Sequence, residues 1–242
     1  MPPDFPRIYA RQEYLTPAAA ETVRLIGQAV RPGAESWLLD VGAGKGEAAA
    51  TLASEFGCRI VAVEPYDPFV HYSTAKFWHF NLRDLVTVVR ASGRRLPVRD
   101  GAFDAAYCIG GPSIVGLVAA LREMARVVRP GGHVIVSDVV WHTKPDTALG
   151  SEWGWIATAE PITPAEYEDR MRAAGLKVAD SVVHGREAWE AYWAPMLAVA
   201  HEAKTSQPAD VFFADERETA IAAERRAVEA YIDYASFVAR KP

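Results

Sequence analysis

The sequence has little of what disulfide-rich, metal-binding or membrane-spanning proteins require. Cys58 and Cys108 are the only cysteines among 242 residues, too few for a disulfide framework or a zinc cluster, so no metal site is predicted. No run approaches about 18 consecutive apolar residues, the length of a membrane span. Residues 1–14 lack the basic start and apolar run of a signal peptide. We therefore expect a soluble, cytoplasmic protein without a membrane partner.

Positive charge is also scarce. The formal net charge of -5 argues against broad nucleic-acid binding. Arginines do cluster between residues 83 and 99, but such runs are usually solvated surface. A small molecule is therefore the expected partner, and nucleic acid is not.

Half of the residues are hydrophobic, and they fall into short apolar runs that alternate with helical patterns. Such alternation predicts a single α/β domain, residues 1–242, with a Rossmann-like, doubly wound sheet covered on both faces. The predicted strands are 37–41, 59–63, 85–89, 105–109, 133–140, 176–183 and 234–239. Helices are predicted at 17–31, 47–56 and 215–231. Another follows strand four, with Leu117, Leu121, Met124 and Val128 on one face. A further helix begins at the capping box of Thr163 and ends at Gly175.

Two segments stand apart from this regular pattern. Residues 184–233 form a helical insertion between strands six and seven, with an aromatic stripe that Pro195 should kink or divide. The insertion either packs against the sheet edge, covers the substrate, or contacts a second subunit in a homodimer. Residues 1–33 are expected to form an N-terminal lid, with Tyr9 and Tyr14, and the first helix.

The stretch LLDVGAGKGEAA, residues 38–49, is a strand that runs into a glycine turn. A dinucleotide site needs G-x-G-x-x-G, but here the third glycine comes one residue early and Glu47 takes its place, where it would repel a pyrophosphate. A P-loop is also excluded, because Gly46 rather than Ser or Thr follows Lys45. Asp40 and Glu64 suit a positively charged ligand better than a phosphate.

This stretch resembles motif I of the class I S-adenosylmethionine-dependent methyltransferases. Residues 90–108, residues 120–138 and the C-terminal YASFVARKP are similar, in order, to further segments of the small-molecule (type 11, UbiE-like) branch. The resemblance covers residues 17–183 and the C-terminus. It implies a seven-stranded sheet, mostly parallel with an antiparallel last strand, and S-adenosylmethionine as cofactor, released as S-adenosylhomocysteine.

The resemblance also implies which residues hold the cofactor. The methionine end would lie against Asp40, Gly42, Gly44 and Gly46, and Glu64 would accept hydrogen bonds from the ribose hydroxyls. Ser92 and Gly93 would face the adenine, although the family commonly has an acid at the position of Ser92, and a hydroxyl is a weaker acceptor than a carboxylate. Cys108 and Ile109 would lie beside the sulfonium.

The sequence restricts the chemical class of the methyl acceptor only through the motifs that it lacks. Strand four is followed by Gly110-Gly111-Pro112-Ser113 rather than Asn-Pro-Pro-Tyr or an acid, which disfavours nucleobase amino groups and aminopropyl transfer. His142 is the predicted base, since its unperturbed pKa lies near neutrality, with an exposed loop histidine as the alternative and His71 and His79 as weaker candidates. The residues predicted to contact the substrate are Tyr14, Trp141, Trp153 and Trp155; for each tryptophan taken alone, packing is the more common role.

The predicted function is thus methyl transfer from S-adenosylmethionine to a small-molecule O, N, C or S acceptor by in-line displacement. Two alternatives stay open. One is a non-catalytic protein that binds the cofactor as a sensor or partner subunit. The other, motivated by the fold alone, is a nicotinamide oxidoreductase.

Overall fold

A computed structural model describes residues 11–204 and 208–242; within these, the side chains of Trp155 and of residues 208–213 are not described. Tyr9, one of the two predicted lid tyrosines, therefore lies outside the described residues. The predicted substrate role of the Trp155 side chain likewise falls outside them.

A seven-stranded sheet forms the centre of the molecule, with the strand order β3-β2-β1-β4-β5-β7-β6. Strands β1 to β5 run parallel, and β7 pairs antiparallel with both β5 and β6. The predicted Rossmann-like fold with an antiparallel last strand is therefore confirmed. The strands are β1 (Trp37–Val41), β2 (Arg59–Val63), β3 (Val86–Val89), β4 (Phe103–Ile109), β5 (Val128–Trp141), β6 (Lys177–His184) and β7 (Ile232–Arg240).

Helices cover both faces of the sheet. They are α1 (Ala19–Val30), α2 (Glu47–Phe56), α3 (Asp67–His79), α4 (Pro112–Val115), α5 (Leu117–Val127), a 3-10 helix (Ser151–Thr158), α6 (Pro164–Ala173), α7 (Arg186–Ala203) and α8 (Pro208–Ala230). Because successive side chains of a strand point to opposite faces, Leu38 and Leu39 of β1 are fully buried in two different clusters. No helix in the described part of the chain is long and apolar enough to cross a membrane.

The fold brings the carboxyl ends of β1, β2 and β4 to one edge of the sheet, where the strand order reverses between β1 and β4. Gly42 directly follows β1, Glu64 follows β2 and Gly110 follows β4. The Gly42 amide donates to the Val63 carbonyl at 2.8 Å, and the Gly110 amide donates to the Ser137 carbonyl at 2.8 Å. Residues far apart in sequence thus meet at one place, where open α/β sheets bind their ligands.

The first helix begins later than predicted. Thr16 and Pro17 predict a cap and a first helical residue, but α1 begins at Ala19 after Ala18, whose φ of 50° is left-handed. The Thr16 side chain packs on Gly110 so closely that a Cβ on that glycine would lie 1.8 Å from Thr16 Cγ2. The Thr16 side chain therefore packs against the edge of the sheet and does not cap the helix.

The predicted 184–233 insertion consists of α7 and α8, and both differ from expectation. Helix α7 is continuous through Pro195, so the proline does not divide it in two. Trp193 and Met196, on either side of the proline, are buried and hold the helix in place despite the missing amide hydrogen bond. Helix α8 begins at Pro208 rather than Asp215.

Candidate active site

The turn after β1 depends on glycine. Gly42, Gly44 and Gly46 all have positive φ values, of 76°, 54° and 77°, a conformation that other residues rarely adopt. Gly42 and Ala43 both donate their amides to the Val63 carbonyl, at 2.8 and 3.0 Å. The turn is therefore folded back against the end of β2, which places Glu64 beside it.

The third glycine faces away from the other two. A Cβ on Gly46 would lie 2.6 Å from Phe77 Cζ and 2.9 Å from Ser73 Cβ. Both residues belong to α3, so the lack of a side chain at Gly46 allows α2 to pack against α3. The sequence places Gly46 with Gly42 and Gly44, but it does not line the cavity that those two residues share.

That cavity, of about 50 Å³, lies between the glycine turn and the segment that precedes α1. It brings together five residues that the sequence assigned to the site: Tyr14, Asp40, Gly42, Gly44 and Ile109. The preceding segment closes it, since Leu15 Cδ1 would be 3.1 Å from a Cβ placed on Gly44.

Asp40 is the unusual group in this cavity. Its side chain is 2% exposed, and in the part of the chain that the structure describes Oδ2 makes no hydrogen bond. The pKa of Asp40 is raised to about 8, chiefly by burial; the Tyr107 hydroxyl lowers it, and the nearby Glu64 adds to the rise. A buried carboxylate without a partner is unfavourable unless a donor or a positive charge satisfies it. Asp40 therefore favours a cationic group over a phosphate in this cavity.

Glu64, in contrast, is held by the main chain. Oε2 accepts from the Gly44 amide at 2.9 Å, and Oε1 accepts from the Tyr66 amide at 2.9 Å. Burial raises the pKa of Glu64, and these two amide hydrogen bonds partly offset that shift. Each oxygen keeps a lone pair, so the carboxylate can still accept hydrogen bonds from two hydroxyl groups of a sugar.

The comparisons with known proteins concern the family. The family model described as "Methyltransferase domain" matches residues 39–136, which begin in β1 and end in β5. These residues are therefore similar to a methyltransferase domain, in agreement with the class I S-adenosylmethionine-dependent family that the sequence resembles.

Individual relatives and solved structures are similar over more of the chain. The O-methyltransferase cnsE of Penicillium expansum is 26% identical over 175 residues, which are 71% of this chain and 63% of cnsE. YjhP of Escherichia coli is 24% identical over 96% of this chain and 94% of its own length, and its crystal structure superimposes with a TM-score of 0.80, 20% identity and complete coverage of both chains. A methyltransferase structure from Thiobacillus denitrificans, in complex with S-adenosylhomocysteine, has a TM-score of 0.78, 18% identity and coverage of 100% of this chain and 99% of that one.

Ser92, Gly93 and Cys108 were also predicted to hold the cofactor. A Cβ on Gly93 would lie 2.7 Å from Val41 Cγ1, so this glycine packs against the end of β1. The Ser92 hydroxyl accepts from the Arg94 amide at 3.3 Å. Cys108 is fully buried, and burial raises its pKa well above the ordinary value. Its thiol is therefore neutral and acts as a small apolar group behind Gly42 and Gly111, where a Cβ would lie 4.0 and 2.9 Å from Sγ.

Apart from Tyr14, the described residues predicted for the acceptor side lie near the end of α8. His142 is exposed; Nδ1 is 3.0 Å from Thr143 Oγ1 and Nε2 is 3.3 Å from the Val228 carbonyl. Trp141 is 2% exposed and lies 6.1 Å, ring to ring, from Tyr231. Trp153 contacts the same tyrosine at 5.4 Å. The structure does not bring these three residues into the cavity of the glycine turn.

The two weaker histidine candidates lie on α3. His71 Nδ1 is 2.8 Å from the Asp67 carbonyl of its own helix. The His79 ring packs edge-on against Phe80, with 4.9 Å between ring centroids. Neither side chain lines the cavity of the glycine turn.

Sequence reasoning missed the role of Asp138 at the end of β5. Its Oδ2 accepts from the Ser113 amide at 2.9 Å, from the Ser113 hydroxyl at 2.5 Å and from the Tyr167 hydroxyl at 3.4 Å. The carboxylate thereby fixes the start of α4, which follows the glycines after β4. A carboxylate inside an otherwise apolar stretch of β5 was the available signal.

Sequence reasoning also missed how residues 11–16, here called the strap, are attached. The Lys45 ammonium donates to the Gln12 carbonyl at 2.6 Å, and the Gln12 side-chain amide donates to the Tyr192 carbonyl of α7 at 2.8 Å. Arg11 adds an ion pair with Glu202 of the same helix at 2.5 Å. The strap therefore joins the glycine turn to the insertion.

Proposed function

We propose that this protein transfers a methyl group from S-adenosylmethionine to a small-molecule acceptor and releases S-adenosylhomocysteine. The observation that carries the proposal is the buried Asp40 carboxyl group, whose Oδ2 makes no hydrogen bond within the described residues, in a cavity that Gly42 and Gly44 line. The sulfonium and ammonium groups of the cofactor carry positive charges that can compensate a buried carboxylate.

The cofactor would be held along the edge of the sheet. Asp40, Gly42, Gly44 and Ile109 would hold the methionine end, and Glu64 would accept the ribose hydroxyls. Ser92 and Gly93 would face the adenine, with Cys108 behind the turn near the sulfonium. When bound, the cofactor supplies a methyl carbon already activated for displacement, so much of the rate can come from aligning the acceptor with it.

The relatives support catalysis over a cofactor-binding sensor. One of them is named as an O-methyltransferase, and the structural neighbour from Thiobacillus denitrificans carries S-adenosylhomocysteine. Of the acceptor-side residues predicted from sequence, Tyr14 enters the proposal because it lines the cavity. The cytoplasmic location and the possible homodimer stay predictions from the sequence.

The experiment measures cofactor binding and methyl transfer separately. Isothermal titration with S-adenosylhomocysteine should show one site, and labelled S-adenosylmethionine should transfer its methyl group into a metabolite extract. Glu64→Ala should weaken binding by roughly 10- to 100-fold, since a hydrogen bond to a charged group contributes about 1.5–3 kcal/mol. Glu55→Ala, an exposed glutamate on α2, is the matched control. Unchanged binding in Glu64→Ala would contradict the cofactor assignment, and binding without transfer would favour the sensor.

A further inference from the structure

A much larger cleft adjoins the cavity of the glycine turn. Its volume is about 1020 Å³, and its walls are the strap, the first residues of α1, the end of β6 and α7. Glu13, Tyr14, Thr16 and Ala19 line both the cleft and the small cavity. The cleft is as large as the upper end of the range for small-molecule sites, about 300–1,000 Å³, and it opens next to the methionine end of the proposed cofactor site.

His184 reaches this cleft from the last position of β6. Since β5 and β6 both pair antiparallel with β7, they run in the same direction, and β6 ends at the same edge of the sheet as β1 and β4. The side chain is 8% exposed and lines the cleft. The histidine is thus at the ligand-binding edge, although no sequence motif marks it.

A chain of buried hydroxyl groups fixes the imidazole. His184 Nε2 lies 2.8 Å from Ser236 Oγ, which lies 2.8 Å from Thr22 Oγ1, and Thr22 Oγ1 donates to the Ala18 carbonyl at 2.9 Å. Each hydroxyl has one proton. Because Thr22 gives its proton to Ala18, Ser236 must donate to Thr22, and His184 Nε2 must donate to Ser236.

The direction of this chain sets the tautomer. Nε2 carries the proton, so the lone pair of the neutral ring is on Nδ1. Burial lowers the pKa of His184, while Glu21 on α1 and Asp233 on β7 oppose that shift. The ring is therefore neutral at pH 7, with a basic nitrogen whose orientation is fixed by its partners.

Other groups of the cleft also accept rather than donate hydrogen bonds. Gln12 is 3% exposed, and its Oε1 makes no hydrogen bond within the described residues. The arginines of the lining face carboxylates: Arg11 pairs with Glu202 at 2.5 Å, and Arg186 lies 3.5 Å from Glu190. Glu13, Glu21 and Glu187 add negative charge. The cleft therefore suits a ligand with hydroxyl or amine donors and disfavours a phosphate or carboxylate.

We propose that this cleft binds the methyl acceptor and that His184 Nδ1 removes the proton from the hydroxyl or amine that is methylated. This inference rests on the proposed methyl transfer. The acceptor oxygen or nitrogen bonds to the methyl carbon as the carbon–sulfur bond breaks, and the electron pair of that bond stays on sulfur as the neutral thioether. The acceptor proton moves to Nδ1 and is then lost to solvent. Ser236 and Thr22 are positioning residues that keep Nδ1 unprotonated.

The test compares His184→Gln with the wild type in the metabolite-extract assay and in titration with S-adenosylhomocysteine. Binding should be unchanged, which also shows that the variant folds, and methyl transfer should fall by about 100-fold or more, the effect of losing a general base. His201→Gln, an exposed histidine of α7, should retain the wild-type rate.

The possible results separate the two proposals. Transfer by His184→Gln at the wild-type rate overturns the role of His184. Absence of transfer by the wild type with cofactor bound overturns the proposed function, and this inference with it.

A second readout reports the tautomer directly. In ¹⁵N-histidine NMR spectra the wild type should show a protonated Nε2 and an unprotonated Nδ1 at His184. Ser236→Ala should lose this preference and transfer methyl groups more slowly, with unchanged binding of S-adenosylhomocysteine. A protonated Nδ1 in the wild type would contradict the proposal.

Discussion

The Lys45 ammonium donates a hydrogen bond to the Gln12 carbonyl at 2.6 Å, and this contact joins the glycine turn to the strap. Burial lowers the pKa of Lys45, and Lys76 lowers it further. Lys45, which follows the second glycine of the turn, therefore holds the strap in place over the cavity.

Lys45→Met should loosen that cover. The substitution keeps an unbranched chain but removes the charged hydrogen bond, whose contribution is about 1.5–3 kcal/mol. We expect S-adenosylhomocysteine to dissociate about tenfold faster, measured by stopped-flow fluorescence. Lys177→Met at the exposed start of β6 is the control and should leave the dissociation rate unchanged. An equal rate in Lys45→Met would show that the contact does not hold the strap.

Cofactor affinity should depend on pH through Asp40. Because the pKa of Asp40 is about 8, the carboxylate gains its negative charge as the pH rises from 6 to 8. The affinity for S-adenosylmethionine should rise over the same range, and that for S-adenosylhomocysteine should rise less, since its sulfur is uncharged. Titration calorimetry in buffers of different ionisation enthalpy should detect proton release, and Asp40→Asn should abolish both effects. A flat profile in the wild type would contradict this assignment.

The same carboxyl should make the free protein less stable at higher pH. Its pKa is about 8 in the folded chain against an ordinary value of 3.8. Between these values the folded state binds more protons than the unfolded state, so the free energy of unfolding falls as the pH rises. In the Asp40→Asn variant this fall in the free energy of unfolding is absent. Its melting temperature, relative to wild type, should therefore be higher at pH 8 than at pH 5, and a constant difference would refute the argument.

Gly46→Ala should destabilise the fold more than Gly57→Ala. Both glycines have left-handed φ values, 77° and 65°, so both substitutions add backbone strain of about 1–2 kcal/mol. Only Gly46 also meets Phe77 and Ser73, whereas a Cβ on Gly57 has no atom within 4 Å. Overpacking should add about 1–3 kcal/mol for Gly46→Ala. Urea denaturation of both variants measures the difference, and equal losses would mean that α3 moves aside.

His142→Gln should have little effect on methyl transfer. Its ring nitrogens lie near Thr143 and Val228 rather than the glycine turn. A rate within about twofold of wild type is expected in the extract assay, against the loss of about 100-fold or more that removal of a general base produces. A loss of that size would restore the role predicted for His142 from the sequence.

Local patterns were enough to predict the sheet and the glycine turn. Strands β1 and β2 and helix α2 have the predicted bounds, because the apolar runs there end clearly and glycines mark the turns between them. Helix α3 was missed, since its aromatic and histidine residues show no simple period. The role of Thr16 was also missed, because its partner Gly110 is distant in sequence and only the fold brings the two together.

The candidate site divides in the same way. Asp40 and Glu64 could be found because Asp40 lies near the end of β1 and Glu64 directly after β2, beside a turn that resembles a known motif. His184 could not, since its basic nitrogen depends on Ser236 and Thr22, which lie on two other elements. Chemistry that depends on the direction of a hydrogen-bond chain leaves no spacing pattern in the sequence.

The strap has a kinetic consequence for the proposed reaction. It covers the small cavity on one side and forms a wall of the large cleft on the other, with Tyr14 and Thr16 lining both. A displacement that admits the cofactor therefore also reshapes the surface against which the acceptor must bind. The two reactants should bind in a compulsory order, cofactor first, so that product inhibition by S-adenosylhomocysteine is competitive with S-adenosylmethionine and noncompetitive with the acceptor.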